Sequence, residues 1–290
     1  MQNNTFCVFT DSGCDISPAL LAEWGVQCAS LTFRFNDSEK EYTSGEMSNS
    51  EFYAKMRAGL VAKTAAVNTE DFSALFETAL AEGKDVLYIG LSSGISNTYN
   101  AGRLAVLELR EKYPERKIYA VDSLCASAGQ GLLIYLAMQK VKEGATIEDT
   151  VKYLEDTRLH LCHWFTVEDL VYLKRGGRVS PATALVGNML GIKPVMHVDN
   201  EGKLIKITTA HGRKKAIAAL AAKYKALATK PASGQVFISQ ADCENEAKEL
   251  ARLLREQNGV EVALITDISP VIGAHSGPGT IALFFVGNER

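Results

Sequence analysis

The sequence predicts an α/β fold in two domains, the first with a largely parallel sheet and the second with a mixed sheet. Apolar runs rich in β-branched residues alternate with helical patterns along most of the 290 residues, as βαβ units require. In the second half, the polar run 199–202 separates two strand patterns as a hairpin turn does, which predicts antiparallel pairing there. We place the domain boundary between residues 1–157 and 158–290.

Strand patterns occur in both predicted domains. The first half carries them at residues 6–10, 27–35, 85–91, 117–122 and 160–165. The second half carries them at residues 192–198, 203–209, 235–239, 260–266 and 280–286. No run rich in proline and glycine separates the halves, so we expect them to pack tightly against each other.

Helix patterns between the strands carry readable end signals. Ser48 and Glu51 form a capping box, and a second helix opens at Thr69 and ends at Gly83, since glycine is a common residue just beyond a helix. Further helices are predicted at residues 96–112, 128–143 and 147–156.

Composition and charge exclude several classes of protein. Hydrophobic residues make up 47% of the chain and charged residues 22%, which is ordinary for a globular protein. The net charge is −3, and the one dense basic cluster, at residues 213–215, is typical of a solvated helix face. We therefore expect no nucleic-acid partner.

The sequence also predicts a cytoplasmic protein with reduced thiols. Its start lacks the basic and apolar regions of a signal peptide, and no apolar run reaches the length of about 20 residues that spans a membrane. Six scattered cysteines show no C-x-x-C spacing, so we expect neither a disulfide framework nor a structural metal site.

The turn that follows the strand pattern at 85–91 is the most informative segment. Ser92, Ser93 and Ser96 lie there, between a strand and a helix. Ligands of open α/β sheets bind at the carboxyl ends of strands, and the start of a helix favours an anion. The turn predicts a carboxylate or phosphate site, with simple helix capping by the serines as the alternative.

A serine esterase is a rival hypothesis for the same turn. Gly90, Ser92 and Gly94 match the G-x-S-x-G nucleophile elbow of α/β-hydrolases, and Asp242 or Asp267 followed by His275 would complete the order serine, acid, histidine. Against this stand the short preceding sheet and the lack of an H-G-G-G-type segment.

Other polar residues have weaker signals. His275 lies in the glycine-rich run 273–280, which predicts a loop whose histidine is either solvent-exposed or donates to a ligand oxygen. His160, Cys162 and His163 alternate along a strand, so a metal site is not expected there. Asp15 is expected to cap the following helix rather than to act as an acid or base.

Taken in order, the segments resemble the DegV family over nearly the whole chain. The family's T-D-S-x-x-D, S-S-x-x-S-x-T-Y, V-D-S, G-Q-G, R-G-G-R and G-x-H-x-G-P-G motifs match residues 10–15, 92–99, 121–123, 129–131, 175–178 and 273–279. Six ordered segments are far more specific than any one motif.

The resemblance implies a non-catalytic lipid-binding protein that needs no cofactor. Members of the family bury a long-chain fatty acid in an apolar tunnel between two α/β domains, and the best understood present its carboxylate to a fatty acid kinase that makes an acyl phosphate. Carried over, the carboxylate contacts are Thr64, Ser93 and His275, with Ser92 and Ser96 nearby. Arg175, Arg178 and Arg213 would serve structure or the partner surface, leaving no lysine or arginine at the carboxylate.

Two segments depart from the family pattern. The T-S-x-P-S loop retains Thr64, but alanine, valine and asparagine stand at its serine and proline positions in residues 65–68. His211 occupies a position where the family commonly has an arginine. The first change puts the shape of the loop in question, and the second weakens the transfer of the kinase partner.

Overall fold

A computed structural model describes residues 5–180, 191–229 and 235–290 of the chain. The first half is built on a parallel sheet with the strand order β2-β1-β6-β7. Its strands are β1 (Phe6–Asp11), β2 (Val26–Ala29), β6 (Asp85–Gly90) and β7 (Ile118–Asp122). A small antiparallel sheet beside it has the order β4-β3-β5, with strands β3 (Thr32–Phe35), β4 (Tyr42–Thr43) and β5 (Ala62–Ala65).

The second half is built on a mixed sheet of six strands with the order β10-β9-β8-β13-β11-β12. Its strands are β8 (Leu161–Thr166), β9 (Ile192–Val198), β10 (Leu204–His211), β11 (Val236–Gln240), β12 (Leu264–Asp267) and β13 (Ile281–Val286). β11 and β12 are parallel, whereas β9 and β10 form an antiparallel hairpin. The α/β fold with one parallel and one mixed sheet is therefore confirmed.

Helices alternate with the strands along much of the chain. In the first half they are α1 (Pro18–Trp24), α2 (Asn49–Arg57), α3 (Thr69–Ala81), α4 (Thr98–Lys112), α5 (Ala128–Lys142) and α6 (Ile147–Thr157). In the second half they are α7 (Val171–Arg175), α8 (Arg213–Leu227), α9 (Glu244–Asn258) and α10 (Pro270–Ser276).

The helix α5 lies between the two large sheets and ties the halves together. One continuous core joins Leu87 and Ile89 of the parallel sheet to Leu132 and Leu133 of α5 and to Phe284 of the mixed sheet. Gly129 allows this approach, because a Cβ atom there would lie 2.8 Å from the ring of Phe284. A ligand held between the sheets must therefore lie beside α5.

Most predicted elements are confirmed within two or three residues, but two predictions are wrong. The run 27–35 is two strands in different sheets, because the chain turns at Leu31, whose N–H donates to Ser12 Oγ at 2.9 Å. The run 260–266 becomes a strand only from Leu264. Ser48 caps α2 as predicted, since its Oγ accepts from the N–H of Glu51 at 3.2 Å, which is one of the two bonds of a capping box.

The predicted cap of the first helix needs correction, and the predicted domain boundary stays open. Ser17, not Asp15, caps α1, with Pro18 at the first helical position. The boundary between residues 157 and 158 stays a prediction. In the described part of the chain, no helix is both long and apolar enough to cross a membrane.

Candidate functional site

A largely apolar cavity lies between the parallel and the mixed sheet. Leu91 and Ala126 line it from the first half, and Phe165, Leu204 and Ala282 line it from the second. Its wall also carries the polar residues Thr64, Ser96, Ser127, His163, Arg178, His275, Ser276 and Thr280. A mainly apolar wall with a few convergent polar groups is typical of a small-molecule site.

Two of the polar residues form a pair across the cavity wall. Thr64 Oγ1 and His275 Nε2 lie 2.9 Å apart, although the two residues are separated by 211 positions in the chain. When Nε2 carries the proton, His275 donates to Thr64, and the Thr64 hydroxyl proton is then available for another acceptor. The pair can therefore donate a hydrogen bond to a ligand oxygen.

Close helix packing holds His275 in place. His275 lies in the last turn of α10, not in the predicted loop, because Pro270 starts a helix there. Gly273 allows α10 to approach α2, since a Cβ atom at this position would lie 2.4 Å from Tyr53 Oη, which donates to Ile268 O at 2.8 Å. The imidazole is thus fixed by packing before any ligand arrives.

α7 and the turn after it close the other side of His275. A Cβ atom on Gly176 would lie 2.3 Å from His275 Nδ1, so only glycine fits here without displacing the ring. Arg178 follows in the same turn and lines the cavity, with its Nε donating to Ile95 O at 3.0 Å. The first glycine of the R-G-G-R segment, Gly176, therefore has a steric reason on the His275 side.

Electrostatics make this end of the cavity electropositive while His275 stays neutral. Burial, and then the positive charge of Arg178, lower the pKa of His275 to about 4. Burial also lowers the pKa of Arg178 from its ordinary value, but an arginine remains charged at neutral pH. The cavity therefore presents one positive charge and at least two hydrogen-bonding side chains to a ligand.

Comparison with known families and proteins identifies relatives over nearly the whole chain. Residues 5–288 match the family model described as "Uncharacterised protein, DegV family". A DegV domain-containing protein of Clostridium perfringens is 37% identical over 286 residues, which cover 98% of each chain. The chain belongs to the DegV family.

Solved DegV structures share the fold over nearly their whole length. One, from Thermus thermophilus and described as fatty acid binding, is 29% identical with a TM-score of 0.88, covering 98% of this chain and 99% of the other. Another, from Ruminococcus gnavus and containing vaccenic acid, is 25% identical with a TM-score of 0.86, covering 97% and 100%. These two solved relatives thus bind or contain a fatty acid.

In this DegV chain the serines of the S-S-x-x-S turn lie in three different environments. Ser96 lines the cavity, and its Oγ lies 3.0 Å from Thr98 Oγ1 at the start of α4. Ser93 is exposed and does not line the cavity, whereas its N–H donates to Asp122 Oδ1 at 3.2 Å. Ser96, and not Ser93, therefore lines the same cavity as Thr64 and His275.

Ser92 has a structural environment. It is fully buried, its Oγ donates to Gly202 O at 2.9 Å, and it accepts from the N–H of Gly94 at 3.1 Å. His275 is paired with Thr64 instead.

The acids of the proposed hydrolase triad are also engaged elsewhere. Asp242 forms an ion pair with Arg57, and Asp267 accepts from Gln240. The described residues therefore contain no serine–histidine–acid triad built on Ser92.

The three arginines predicted to serve structure or a partner surface lie in different environments. Arg175 is exposed, with its guanidinium 5.7 Å from the centre of the Tyr172 ring. Arg213 is mostly buried in an ion pair with Glu246. Arg178 lines the cavity, so a positive charge lies beside the candidate site.

The sequence did not predict a network of hydroxyl and carboxyl groups that lies beside the cavity. Ser127 lines the cavity and donates to Asp15, while Ser239 Oγ lies 2.8 Å from Ser127 Oγ. Burial raises the pKa of Asp15 to about 7. The sequence marks Asp15 only as a polar residue after β1, and no local signal predicts its contact with residues more than 100 positions away.

The buried acid at the end of β1 organises the turn after β6. Asp11 Oδ2 accepts from Tyr88 Oη at 2.7 Å and from the N–H of Leu91 at 2.9 Å. The start of the T-D-S motif therefore holds the turn that supplies Leu91 and Ser96 to the cavity. Groups of histidine, cysteine, aspartate or glutamate that could hold a metal ion are absent from the described parts of the chain.

Proposed function

We propose that this protein binds a long-chain fatty acid, with its carboxylate at Thr64, His275 and Ser96 and its acyl chain along the apolar wall between the sheets. The observation that carries the proposal is the Thr64–His275 pair, 2.9 Å apart, at the edge of a largely apolar cavity. Arg178 supplies the positive charge that an ionised carboxylate needs on leaving water.

The acyl chain dominates the affinity in this proposal. Burying about 15 methylene groups at ~0.8 kcal/mol each gives ~12 kcal/mol before the costs of ordering the ligand. A hydrogen bond to a charged group contributes ~1.5–3 kcal/mol. The polar residues therefore set the orientation of the ligand more than the strength with which it binds.

We extend the proposal to presentation of the carboxylate to a separate fatty acid kinase, with this chain as the non-catalytic subunit. This part rests on the family resemblance. A carrier role fits the described residues better than an esterase role, because Ser92 and His275 are each engaged with other groups.

Lipid extraction tests the binding proposal. Protein purified from a bacterial host is extracted with organic solvent, and the lipid is identified and counted by mass spectrometry. We expect about one equivalent of a long-chain fatty acid. Repeated extraction without acyl lipid, combined with no binding of added fatty acid by the stripped protein, would rule the proposal out.

Reconstitution tests the kinase proposal separately. The fatty-acid-loaded protein is mixed with the catalytic subunit of a bacterial fatty acid kinase and radiolabelled ATP. Acyl phosphate is expected only when both proteins are present. Retained binding without any phosphorylation by such subunits would limit the function to lipid binding.

A further inference from the structure

One polar side chain of the cavity has no place in binding a carboxylate. His163 lies in β8 and is 4% exposed, and it lines the cavity together with Phe165. Within the described parts of the chain, its Nδ1 has no hydrogen-bond partner. Its ring packs against Phe284, with the ring centres 4.6 Å apart, so an apolar side chain would suit the surroundings better.

The imidazole of His163 is neutral in the folded protein. Burial, followed by the positive charge of Arg290 and the nearby His197, holds its pKa well below the ordinary value. A neutral imidazole has one nitrogen that donates and one that accepts. Because buried polar atoms are rarely left unpaired, a ligand group that pairs with this ring would gain from doing so.

The position of His163 along β8 separates it from the segment that carries Arg178. Arg178 and Leu173 reach the cavity from the segment that follows the carboxyl end of β8 at Thr166. His163 precedes Thr166 by three positions, which corresponds to about 10 Å along a strand. An acyl chain anchored at Thr64 and His275 would therefore bring its middle carbons to His163.

We infer that His163 selects fatty acids that carry a hydroxyl group at mid-chain. This inference rests on the proposed function, and it names the substrate class within it. A hydroxyl group both donates and accepts, so it pairs with either tautomer of the ring. A ligand hydroxyl without a hydrogen-bond partner is unfavourable beside the aromatic rings of Phe165 and Phe284. The imidazole of His163 therefore determines whether a hydroxylated acyl chain binds well.

Binding of matched ligands to the stripped protein tests the inference. The ligands are stearic acid, its derivative with one hydroxyl at mid-chain, and the isomer with the hydroxyl next to the methyl end. The variants are His163→Phe, His163→Gln and, as the matched control, His197→Phe. His197 stacks on Trp164 with ring centres 4.3 Å apart and does not line the cavity.

Wild type and His197→Phe are expected to bind the mid-chain hydroxy acid at least as tightly as stearic acid. His163→Phe should bind the hydroxy acid about tenfold more weakly than stearic acid, because its hydroxyl loses its partner. His163→Gln, which can still form hydrogen bonds, should restore the affinity. In wild type, the isomer with the terminal hydroxyl should bind about tenfold more weakly than the mid-chain isomer, a result that needs no variant.

The outcomes separate this inference from the proposed function. In one outcome, wild type binds stearic acid but binds both hydroxy acids as weakly, relative to stearic acid, as His163→Phe does. That result would show that the role given to His163 is wrong, while the proposed binding of fatty acids would stand. If wild type binds none of the acids, both fail.

Discussion

His275 is held between Thr64, Gly176 and Arg178, and this environment makes it a poor base. Its folded pKa is about 4, below the ordinary value of about 6.5 that applies in the unfolded chain. Between these pH values the unfolded chain binds a proton at His275 that the folded protein does not. The free energy of unfolding therefore falls as the pH drops from about 6.5 to about 4.

The substitution His275→Gln should reduce this pH dependence. One proton fewer lowers the slope by up to about 1.4 kcal/mol per pH unit in that window. His197, whose pKa is also about 4, keeps part of the dependence. Urea unfolding at a series of pH values measures the slope. An unchanged slope would show that His275 is not buried as a neutral ring.

At the scale of single residues, the family motifs predicted Thr64 and His275 as ligand contacts, and the structure joins these two side chains by a hydrogen bond. It assigned the serine contact to Ser93, because the motif does not show which serine of the turn faces inward. It also left Arg178 outside the site. The orientation of a side chain in a turn depends on contacts such as Arg178 with Ile95, 83 positions away.

Among the elements, the turn after β6 is fastened to the β9–β10 hairpin by Ser92. Its Oγ bonds both Gly202 O and the N–H of Gly94. Ser92→Ala should lower the free energy of unfolding by about 1–3 kcal/mol, because the buried carbonyl of Gly202 and the partly buried N–H of Gly94 lose their partner. Fluorophosphonate labelling of wild-type Ser92 should be absent. A covalent adduct that requires His275 would revive the esterase hypothesis.

The contact between α7 and α10 gives a second prediction at this scale. Gly176→Ala places a methyl group against the His275 ring, so it should weaken fatty acid binding by about tenfold through the displaced hydrogen bond. Gly177→Ala is the matched control. Gly177 has φ +72° and no neighbour within 4 Å of an added Cβ, so its variant should lose stability but retain affinity.

Isothermal titration of both variants with a fatty acid measures the difference. Equal affinities for Gly176→Ala and wild type would show that the position of His275 does not matter for binding.

Among the elements, the sequence predicted those with clear periodicity and missed those made by tertiary contacts. β9 was predicted with the observed ends, whereas β5 was taken for a loop. Ala62–Ala65 is too short and too mixed to show a strand pattern, and it becomes a strand only because Thr64 pairs with Phe33. The sequence did not predict the helix α10, because Gly273 is typical of a loop. In the structure this glycine allows the close approach to Tyr53.

For the whole molecule, the alternation of strands and helices was enough to predict two α/β units. It could not show that α5 is shared by both sheets or that the cavity lies beside it. The cavity is lined by residues far apart in the chain, such as Ala126 and Ala282. The order of the motifs predicted the family, whereas the positions of the candidate site residues are given only by the folded structure.

Affinity for a fatty acid and for its methyl ester tests the central claim most directly. The ester keeps the acyl chain but loses the charge that Thr64, Ser96, His275 and Arg178 are proposed to hold. The proteins are wild type, Thr64→Val and, as the matched control, Thr32→Val. Thr32 pairs with Thr43 and Ala65 in the small sheet and does not line the cavity.

Wild type and Thr32→Val should prefer the free acid by at least about tenfold, as a hydrogen bond to a charged group implies. Thr64→Val should bind the free acid about ten- to hundredfold more weakly while its affinity for the ester stays unchanged, because the apolar wall is intact. If Thr64→Val keeps the full preference of wild type for the free acid, the carboxylate is not held where we place it.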